Sequence, residues 1–336
     1  MKNMKTRRFF LNLLIVFFVF LFMKLNFFAK AKKKKPFNTR VLTHPIFLKH
    51  RMSKDHPERP ERMKFILDIL KNNNYLSYLE NVNLDRDVEK WILKIHNKKH
   101  LSSLKKNFPL AEKVSKSAVQ TCLKGIDQIM NNKAKNIFCA VRPPGHHALN
   151  TGKDEGFCYY NHVAITAKYA QEKYNLKKIL IVDWDYHHGN STEYFFYDDP
   201  TVLFFSSHDQ FAYPGTGSPS RKGIGRGVGF NINVHLPCRT KDEDIIKIYQ
   251  KKLVPRANEF KPDLVLVSAG FDSRINDLLG CYDITDKGFE ELTKIVMKIS
   301  SNYSNGRLLS VLEGGYNLLG NAKASLAHIK ILDNFH

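Results

Sequence analysis

The chain has 336 residues, a formal net charge of +21 and five cysteines. This length lets the chain bury a substantial core, as one large α/β domain or as two ordinary domains. Residues 1–40 contain eleven Lys and Arg residues and no acidic residue, so about half of the excess charge is confined to the N-terminus. The remaining charge is scattered without a recognisable nucleic-acid module, and we expect no nucleic-acid partner.

The first predicted element, residues 1–31, has the three parts of a signal peptide. A basic start that includes Arg7 and Arg8 is followed by the apolar run 13–23 and then by small residues. The paired arginines resemble a bacterial twin-arginine signal, which predicts recognition by the twin-arginine export machinery and a periplasmic or exported protein. The alternative is an uncleaved membrane anchor, although the apolar run is shorter than the ~20 residues that a spanning helix needs.

A single domain is predicted to follow this signal. Residues 32–40 are predicted to be a basic flexible segment, and residues 41–336 one domain, because no linker rich in Gly, Ser or Pro interrupts them. The cysteines are odd in number and lack C-x-x-C spacing. We therefore predict free thiols rather than a disulfide framework or a thiolate zinc site.

Short apolar runs alternate with amphipathic helices along this domain. Six runs are typical of strands covered on both faces: 136–141, 178–183, 201–205, 230–234, 263–268 and 307–312. Three stretches have the apolar spacing of helices: 161–174, 242–260 and 285–300. The pattern predicts a three-layer α/β/α fold with a mainly parallel sheet.

Polar clusters follow five of the predicted strands directly. They occupy residues 142–148, 183–190, 206–217, 268–273 and 313–317. Because ligands of open α/β sheets bind outside the carboxyl ends of the strands, these clusters predict one site at that edge of the sheet.

The cluster 183–190, DWDYHHGN, predicts a metal site. Residues two apart on an extended segment project to the same side, so Asp185 and His187 can bind one ion. Asp272, which follows another predicted strand, is the best third ligand. Two Asp and one His suit zinc with an open position, although Fe(II), Mn or Co could be held as well.

The adjacent His146 and His147 lie in a Pro-Pro-Gly turn, where a buried imidazole needs a partner for each ring nitrogen. They could themselves be metal ligands. We favour a proton-transfer pair, for which Asp183 and Asn190 are the natural hydrogen-bond partners.

The Gly-Gly turn before Tyr316 lets that side chain present its hydroxyl to the site, although a tyrosine in this context could also be an ordinary aromatic cover. We expect His188 to serve hydrogen bonding at the same edge rather than the chemistry. His100 and His208 have no predicted partner, and we expect them to be ordinary exposed polar residues.

Seven motifs, in this order, resemble the zinc-dependent histone deacetylase superfamily, and most closely its class II-like branch of bacterial deacetylases and acetylpolyamine amidohydrolases. They are HPERPER (56–62), RPPGHHA (142–148), GFCYYNHVAI (156–165), DWDYHHGN (183–190), YPGTG (213–217), SAGFDS (268–273) and LEGGYN (312–317). The resemblance covers about residues 44–320.

The resemblance implies roles for individual residues. The zinc ligands would be Asp185, His187 and Asp272, and the catalytic group would comprise His146, His147, Asp183, Asn190 and Tyr316. The acyl-chain channel would be lined by Gly156, Phe157 and Tyr213, with Leu279 at the position of an acidic gatekeeper in polyamine-selective members. A structural potassium site would map to Asp183, Asp185, His187, Ser206 and Ser207.

The resemblance implies a metal-dependent hydrolase of acyl amides that acts on peptide or small-molecule amines. The alternatives are a catalytically silent acyl-amine binding protein, an enzyme specific for acetylpolyamines and an arginase-like enzyme with two metals. Leu279 argues against polyamine specificity because it lacks the acidic charge. Ser191 departs from the family, which commonly has Gly there. The sequence does not predict the oligomeric state.

Overall fold

Eight parallel strands form a single sheet in the computed structural model, which describes residues 39–335. The strand order is β2-β1-β3-β8-β7-β4-β5-β6, and every neighbouring pair is parallel. The strands are β1 (Thr39–Thr43), β2 (Leu79–Asn81), β3 (Asn136–Cys139), β4 (Ile179–Asp183), β5 (Val202–His208), β6 (Asn231–His235), β7 (Leu264–Ala269) and β8 (Leu308–Leu312). The predicted signal peptide and most of the predicted basic segment lie outside the described residues.

Six of these strands coincide, within a few residues, with the six apolar runs. Strands β3, β4, β7 and β8 are buried at every position, as helices on both faces require. The sequence missed β1 and β2. Strand β1 begins at Thr39, before the predicted start of the domain, and β2 is a partly exposed edge strand of three residues.

Within residues 39–335, ten α-helices flank the sheet. They are α1 (Glu61–Asn72), α2 (Glu89–Ile92), α3 (Lys98–Asn107), α4 (Pro109–Met130), α5 (His162–Tyr174), α6 (Asn190–Phe196), α7 (Asp242–Ile248), α8 (Val254–Phe260), α9 (Asp286–Tyr303) and α10 (Leu318–Asn334). Helices α4, α5 and α6 pack together on one side, and α1, α10, α9 and α8 on the other, which gives the predicted three layers. No helix within residues 39–335 is long and apolar enough to cross a membrane.

The predicted helix over 242–260 is divided into three parts in the structure. A π-helical turn, Tyr249–Leu253, separates α7 from α8. Pro255 lies in the first turn of α8, and its missing N–H cannot bond to the carbonyl four residues earlier, so the regular helical ladder is interrupted there.

The cysteine prediction was wrong for one pair. Cys238 and Cys281 form a disulfide, whereas Cys122, Cys139 and Cys158 are free and buried. The two bonded residues are 43 positions apart. Only the fold brings the segments after β6 and β7 together, so no local spacing could have indicated the pair.

Candidate metal and catalytic site

The predicted site residues come from loops that follow five adjacent strands, β3, β8, β7, β4 and β5. The strands are parallel, so these loops all leave the sheet at the same edge. Central strands β4 and β7 place their C-terminal residues side by side, with Asp183 paired to Ser268. Asp185 and Asp272 therefore face each other from neighbouring loops.

Asp185, His187 and Asp272 form a compact three-residue cluster whose ligand atoms all lie within 4.8 Å of one another. The Nδ1 atom of His187 lies 3.1 Å from Asp185 Oδ1 and 3.0 Å from Asp272 Oδ2. Both carboxylates are fully buried. Within residues 39–335 this is the one such group of possible metal ligands, so the described structure contains no second cluster of the kind that a two-metal centre needs.

Two glycines allow the backbone to approach these carboxylates closely. A Cβ atom on Gly270 would lie 1.9 Å from Asp185 Oδ2, and one on Gly314 would lie 2.1 Å from Asp272 Oδ2. Backbone N–H groups then hold the carboxylates in place. Gly314 donates to Asp185 Oδ2 over 2.8 Å, and Tyr186 donates to Asp272 Oδ1 over 2.9 Å.

The charges of this cluster fit a bound cation. Burial and the nearby charge of Asp185 raise the pKa of Asp272 to about 7. Burial disfavours a charged His187, but its hydrogen bonds to Asp185 and Asp272 outweigh burial and raise its pKa to about 10. Asp185 and Asp272 both contact His187, and oxygen and imidazole donors are those that zinc and iron accept in proteins.

His146 and His147 have different hydrogen-bond partners and opposite electrostatic environments. His146 Nδ1 lies 2.9 Å from Asp183 Oδ2, and His147 Nδ1 lies 2.8 Å from Asn190 Oδ1. Burial would lower the pKa of His146, but the charges of Asp185 and Asp183 raise it well above its usual value. Burial and the neighbouring positive His146 instead lower the pKa of His147 far below its usual value. The surroundings therefore favour the charged form of His146 and the neutral form of His147.

Tyr316 is buried beside this cluster, and its hydroxyl makes no hydrogen bond to any described residue. Asp277 accepts from the backbone N–H groups of Tyr316 and Asn317 over 2.7 and 2.9 Å, which fixes the turn. The Arg62 guanidinium lies 4.7 Å from the centre of the Tyr316 ring. The hydroxyl is thus held in position and remains available as a donor.

A buried network of charged side chains that no sequence motif predicted supports the site. Glu58 binds Arg142 through two hydrogen bonds of 2.8 and 2.6 Å and also accepts from Arg62 over 3.2 Å. Arg62 in turn donates to the backbone oxygens of Glu313 and Gly315 over 2.5 and 2.6 Å. Glu58 and Arg62 belong to the motif HPERPER, and Arg142 begins the motif RPPGHHA. Neither motif shows from sequence alone that Glu58 pairs with Arg142.

Glu313, which the sequence did not mark as a site residue, is a second support. Its Oε2 atom accepts from Gly145 N over 2.6 Å and from His146 N over 3.3 Å, so it holds the turn that carries both histidines. Ser191 adds a bond that glycine could not make, because its hydroxyl donates to the His146 carbonyl over 2.8 Å. The departure at Ser191 therefore reinforces the same turn.

Three of the predicted channel residues, Gly156, Phe157 and Tyr213, lie around the histidine pair and Tyr316. The Phe157 ring is 5.9 Å from that of Tyr316, and the Tyr213 ring is 5.0 Å from that of His147. Gly156 has a φ of +51°, and a Cβ there would lie 2.3 Å from the His147 ring, which explains the need for glycine. Leu279 is partly exposed at 38%.

The remaining predictions have mixed outcomes. His188 donates to or accepts from Thr216 Oγ1 over 2.7 Å, in agreement with a hydrogen-bonding role. The expectation of exposed histidines was wrong: His100 is buried against the Tyr159 carbonyl at 2.8 Å, and His208 is also fully buried. His100 lies on helix α3 and His208 ends strand β5, and the sequence pattern did not show which face of either element is buried.

The side chains proposed for potassium already have partners. Ser206 Oγ lies 2.9 Å from His208 Nδ1, and Ser207 Oγ lies 3.0 Å from Tyr249 Oη. Ser206 also pairs with Asp183 across β4 and β5, so the predicted group is contiguous. The potassium site stays a prediction.

A family model of the histone deacetylase domain matches residues 56–332. A probable deacetylase of Archaeoglobus fulgidus is 34% identical over 298 residues, which cover 84% of this chain and 82% of that protein. Polyamine deacetylase HDAC10 of Danio rerio is 34% identical over 299 residues, but these cover only 44% of that protein. The crystal structure of the HDA15 HD domain matches with a TM-score of 0.82 and 32% identity, over 88% of both chains.

Proposed function

Since this chain belongs to the histone deacetylase family, we propose that it hydrolyses the acyl-amide bond of an acetyl-lysine-like side chain or a small N-acetyl amine with the help of a divalent metal. The products are a short carboxylic acid and a free amine. The observation that carries this proposal is the convergence, at one edge of the sheet, of the Asp185, His187 and Asp272 cluster, the two unlike histidines and the Tyr316 hydroxyl.

Asp185, His187 and Asp272 would hold the metal, for which zinc is the first candidate and iron the second. When bound, such an ion polarises the amide carbonyl and makes an attacking water more acidic. Asp185 and Asp272 are fully buried and partly restrained by backbone N–H groups, so little rearrangement of the protein is needed to bind it.

The histidine pair moves the proton. The neutral His147 donates its Nδ1 hydrogen to Asn190, which leaves Nε2 free to accept a proton from the attacking water. As the carbon–nitrogen bond breaks, the same nitrogen returns that proton to the leaving amine. His146, charged and paired with Asp183, compensates the negative charge that develops at the reacting centre.

Tyr316 supplies a hydrogen-bond donor to the developing oxyanion. Tyr316→Phe should therefore lower kcat for an acetyl-lysine peptide about 10²–10³-fold, the usual cost of losing one such donor. The matched control is Tyr303→Phe, which removes the exposed bond from Tyr303 to Asn258 and should leave kcat nearly unchanged.

The assay uses the purified protein loaded with zinc and, separately, with iron, against acetyl-lysine peptides and acetylpolyamines. Metal content is measured in the same samples. A protein that binds one metal per chain yet hydrolyses none of these amides would contradict the enzyme proposal and favour a silent binding protein.

A further inference from the structure

Strand β6 forms the outer edge of the sheet, next to β5, and a basic groove borders it. Strand β6 is the last in the sheet order and pairs with β5 alone. A groove of about 500 Å³ runs along it, and its walls include Lys222, Lys251, Lys252 and Arg256. We propose that this groove, called here the β6 groove, is a docking site for an extended acidic segment of a partner protein, added to the sheet as a further strand.

The backbone of β6 offers the hydrogen bonds for such a strand. At its ends, Phe204 N donates to Phe230 O and Leu236 N donates to His208 O, both over 2.9 Å. The N–H and C=O groups of one strand residue point to the same side, and the side alternates along the strand. Even-numbered residues therefore turn toward β5, whereas Asn231, Asn233 and His235 turn their peptide groups outward. Apart from the ladder of the sheet, no residue within 39–335 bonds to these outward groups.

The cations stand on both sides of this edge. Ile232 pairs with Phe205, whose ring packs 5.0 Å from that of Tyr249, so the π-helical turn and its Lys251 and Lys252 lie over this face. Arg256, in the following helix α8, reaches the edge by donating to the Gly229 carbonyl over 2.9 Å.

The opposite face of β6 carries the fourth cation. The Asn231 and Asn233 side chains bond there to the carbonyls of Arg221 and Ser218, next to Lys222. The ammonium groups of Lys222, Lys251 and Lys252 make no ion pair with any described residue. Lys251, Lys252 and Arg256 thus share one face of the sheet edge, where alternate side chains of an added strand would meet them.

These features favour an acidic peptide over other occupants. Strand addition uses main-chain hydrogen bonds for affinity and alternate side chains for specificity, and the β6 groove offers both. A second copy of this chain would bring three unpaired ammonium groups against three, since Arg256 is paired with Glu259, and this disfavours pairing of two β6 edges. The phosphates of a nucleic acid would pair with the cations, but they could accept hydrogen bonds only from the outward backbone N–H groups of β6. The outward backbone carbonyl groups would stay unpaired.

The first test measures binding of a fluorescent ten-residue peptide of alternating Thr and Glu by anisotropy. The double substitution Lys251→Glu with Lys252→Glu should weaken binding at least about tenfold. The matched control, Lys98→Glu with Lys99→Glu, reverses two adjacent exposed lysines of α3 and should change binding less than about twofold. Equal losses in both variants would show attraction by net charge and overturn the proposal. Circular dichroism and thermal melting confirm that both variants fold.

The second test separates strand addition from charge alone. N-methylation of every second peptide residue removes the hydrogen-bond donors on one edge of the peptide, and the two registers are compared. One register should bind at least about tenfold more weakly than the other, because only one edge faces β6. Equal binding of the two registers would overturn the proposal. So would an oligothymidylate that displaces the peptide at lower concentration, or a dimer abolished by the Lys251 and Lys252 substitutions.

Discussion

The buried carboxylates of Asp272 and Glu313 have an electrostatic environment opposite to that of Asp127. At the catalytic edge, burial raises the pKa of Glu313 to about 7, and burial together with Asp185 raises that of Asp272 to about 7. Between α4 and α5, burial also favours the neutral form of Asp127, but hydrogen bonds outweigh it and lower the pKa to about 2. The donors to Asp127 are Tyr169, Tyr174, Lys173 and Arg86.

The difference indicates what each cluster is built for. Asp127 accepts bonds of 2.5 to 2.9 Å from Tyr169, Tyr174 and Lys173, so its charge is compensated by the protein itself. Asp185 and Asp272 share the His187 imidazole, and His146 Nε2 lies 3.8 Å from Asp185 Oδ1, yet burial and Asp185 keep the pKa of Asp272 raised. A buried carboxylate with a raised pKa, such as Asp272, is suited to bind a cation, whereas a compensated one such as Asp127 ties helices together.

The largest expected effect comes from removing one charge of the catalytic cluster. Asp272→Asn should lower kcat/KM for an acetyl-lysine peptide at least about a thousandfold, or ~4 kcal/mol of barrier, because the amide cannot compensate a divalent ion. The melting temperature of the metal-free variant should stay equal or rise, because a like charge facing Asp185 is removed. A clearly lower melting temperature of the metal-free Asp272→Asn variant would show that Asp272 contributes to folding, and would contradict the contrast with Asp127.

Asp127→Ala should have the opposite consequences. We expect a loss of about 2–3 kcal/mol in the free energy of unfolding, because Tyr169 loses its acceptor and Arg86 and Lys173 are left as neighbouring like charges. Activity of the folded protein should be unchanged. Urea denaturation measures the loss, with the exposed Asp55→Ala as the control. A loss no larger than that of the control would show that the Asp127 cluster is not structural.

The same cluster predicts a pH dependence. The folded pKa of Asp127, about 2, lies below its unfolded value of ~3.9, so its stabilisation is complete above about pH 5 and disappears as the pH falls through 2. Solvent screening of Arg86 and Lys173 limits the contribution to roughly 1–2 kcal/mol. Urea titrations at pH 6, 4 and 2.5 should show the stability gap between wild type and Asp127→Asn closing with acid. A constant gap would contradict the assignment.

The contrast between the two clusters also explains what the sequence could predict. Asp185 and His187 are two residues apart after a buried strand, so local spacing revealed both and the parallel sheet placed Asp272 beside them. Asp127 lies on α4 and takes its partners from α5 and from the loop that contains Arg86, and no motif joins these segments.

The same limit applies to the fold. Apolar runs predicted the six strands of the sheet from β3 to β8, since burial on both faces leaves a continuous signal. The long helix α4 was not predicted, although its apolar residues recur at helical spacing and most of them are buried. The support from Glu58 to Arg142 spans 84 positions, and only the folded chain shows that it exists.

The smallest expected effect comes from adding an exposed negative charge at Leu279, in the predicted channel, since an exposed charge should act more weakly than the buried charges above. Leu279 is 38% exposed, and Asp277 fixes its backbone N–H over 3.0 Å, so a new side chain would keep the same place. Leu279→Glu should raise kcat/KM for an acetylpolyamine about three- to fivefold relative to an acetyl-lysine peptide, since solvent weakens an exposed charge. Leu278→Glu is the matched control, because Leu278 is adjacent and 62% exposed. If both variants shift the ratio equally, the general negative field determines selectivity, and Leu279 holds no gatekeeping position.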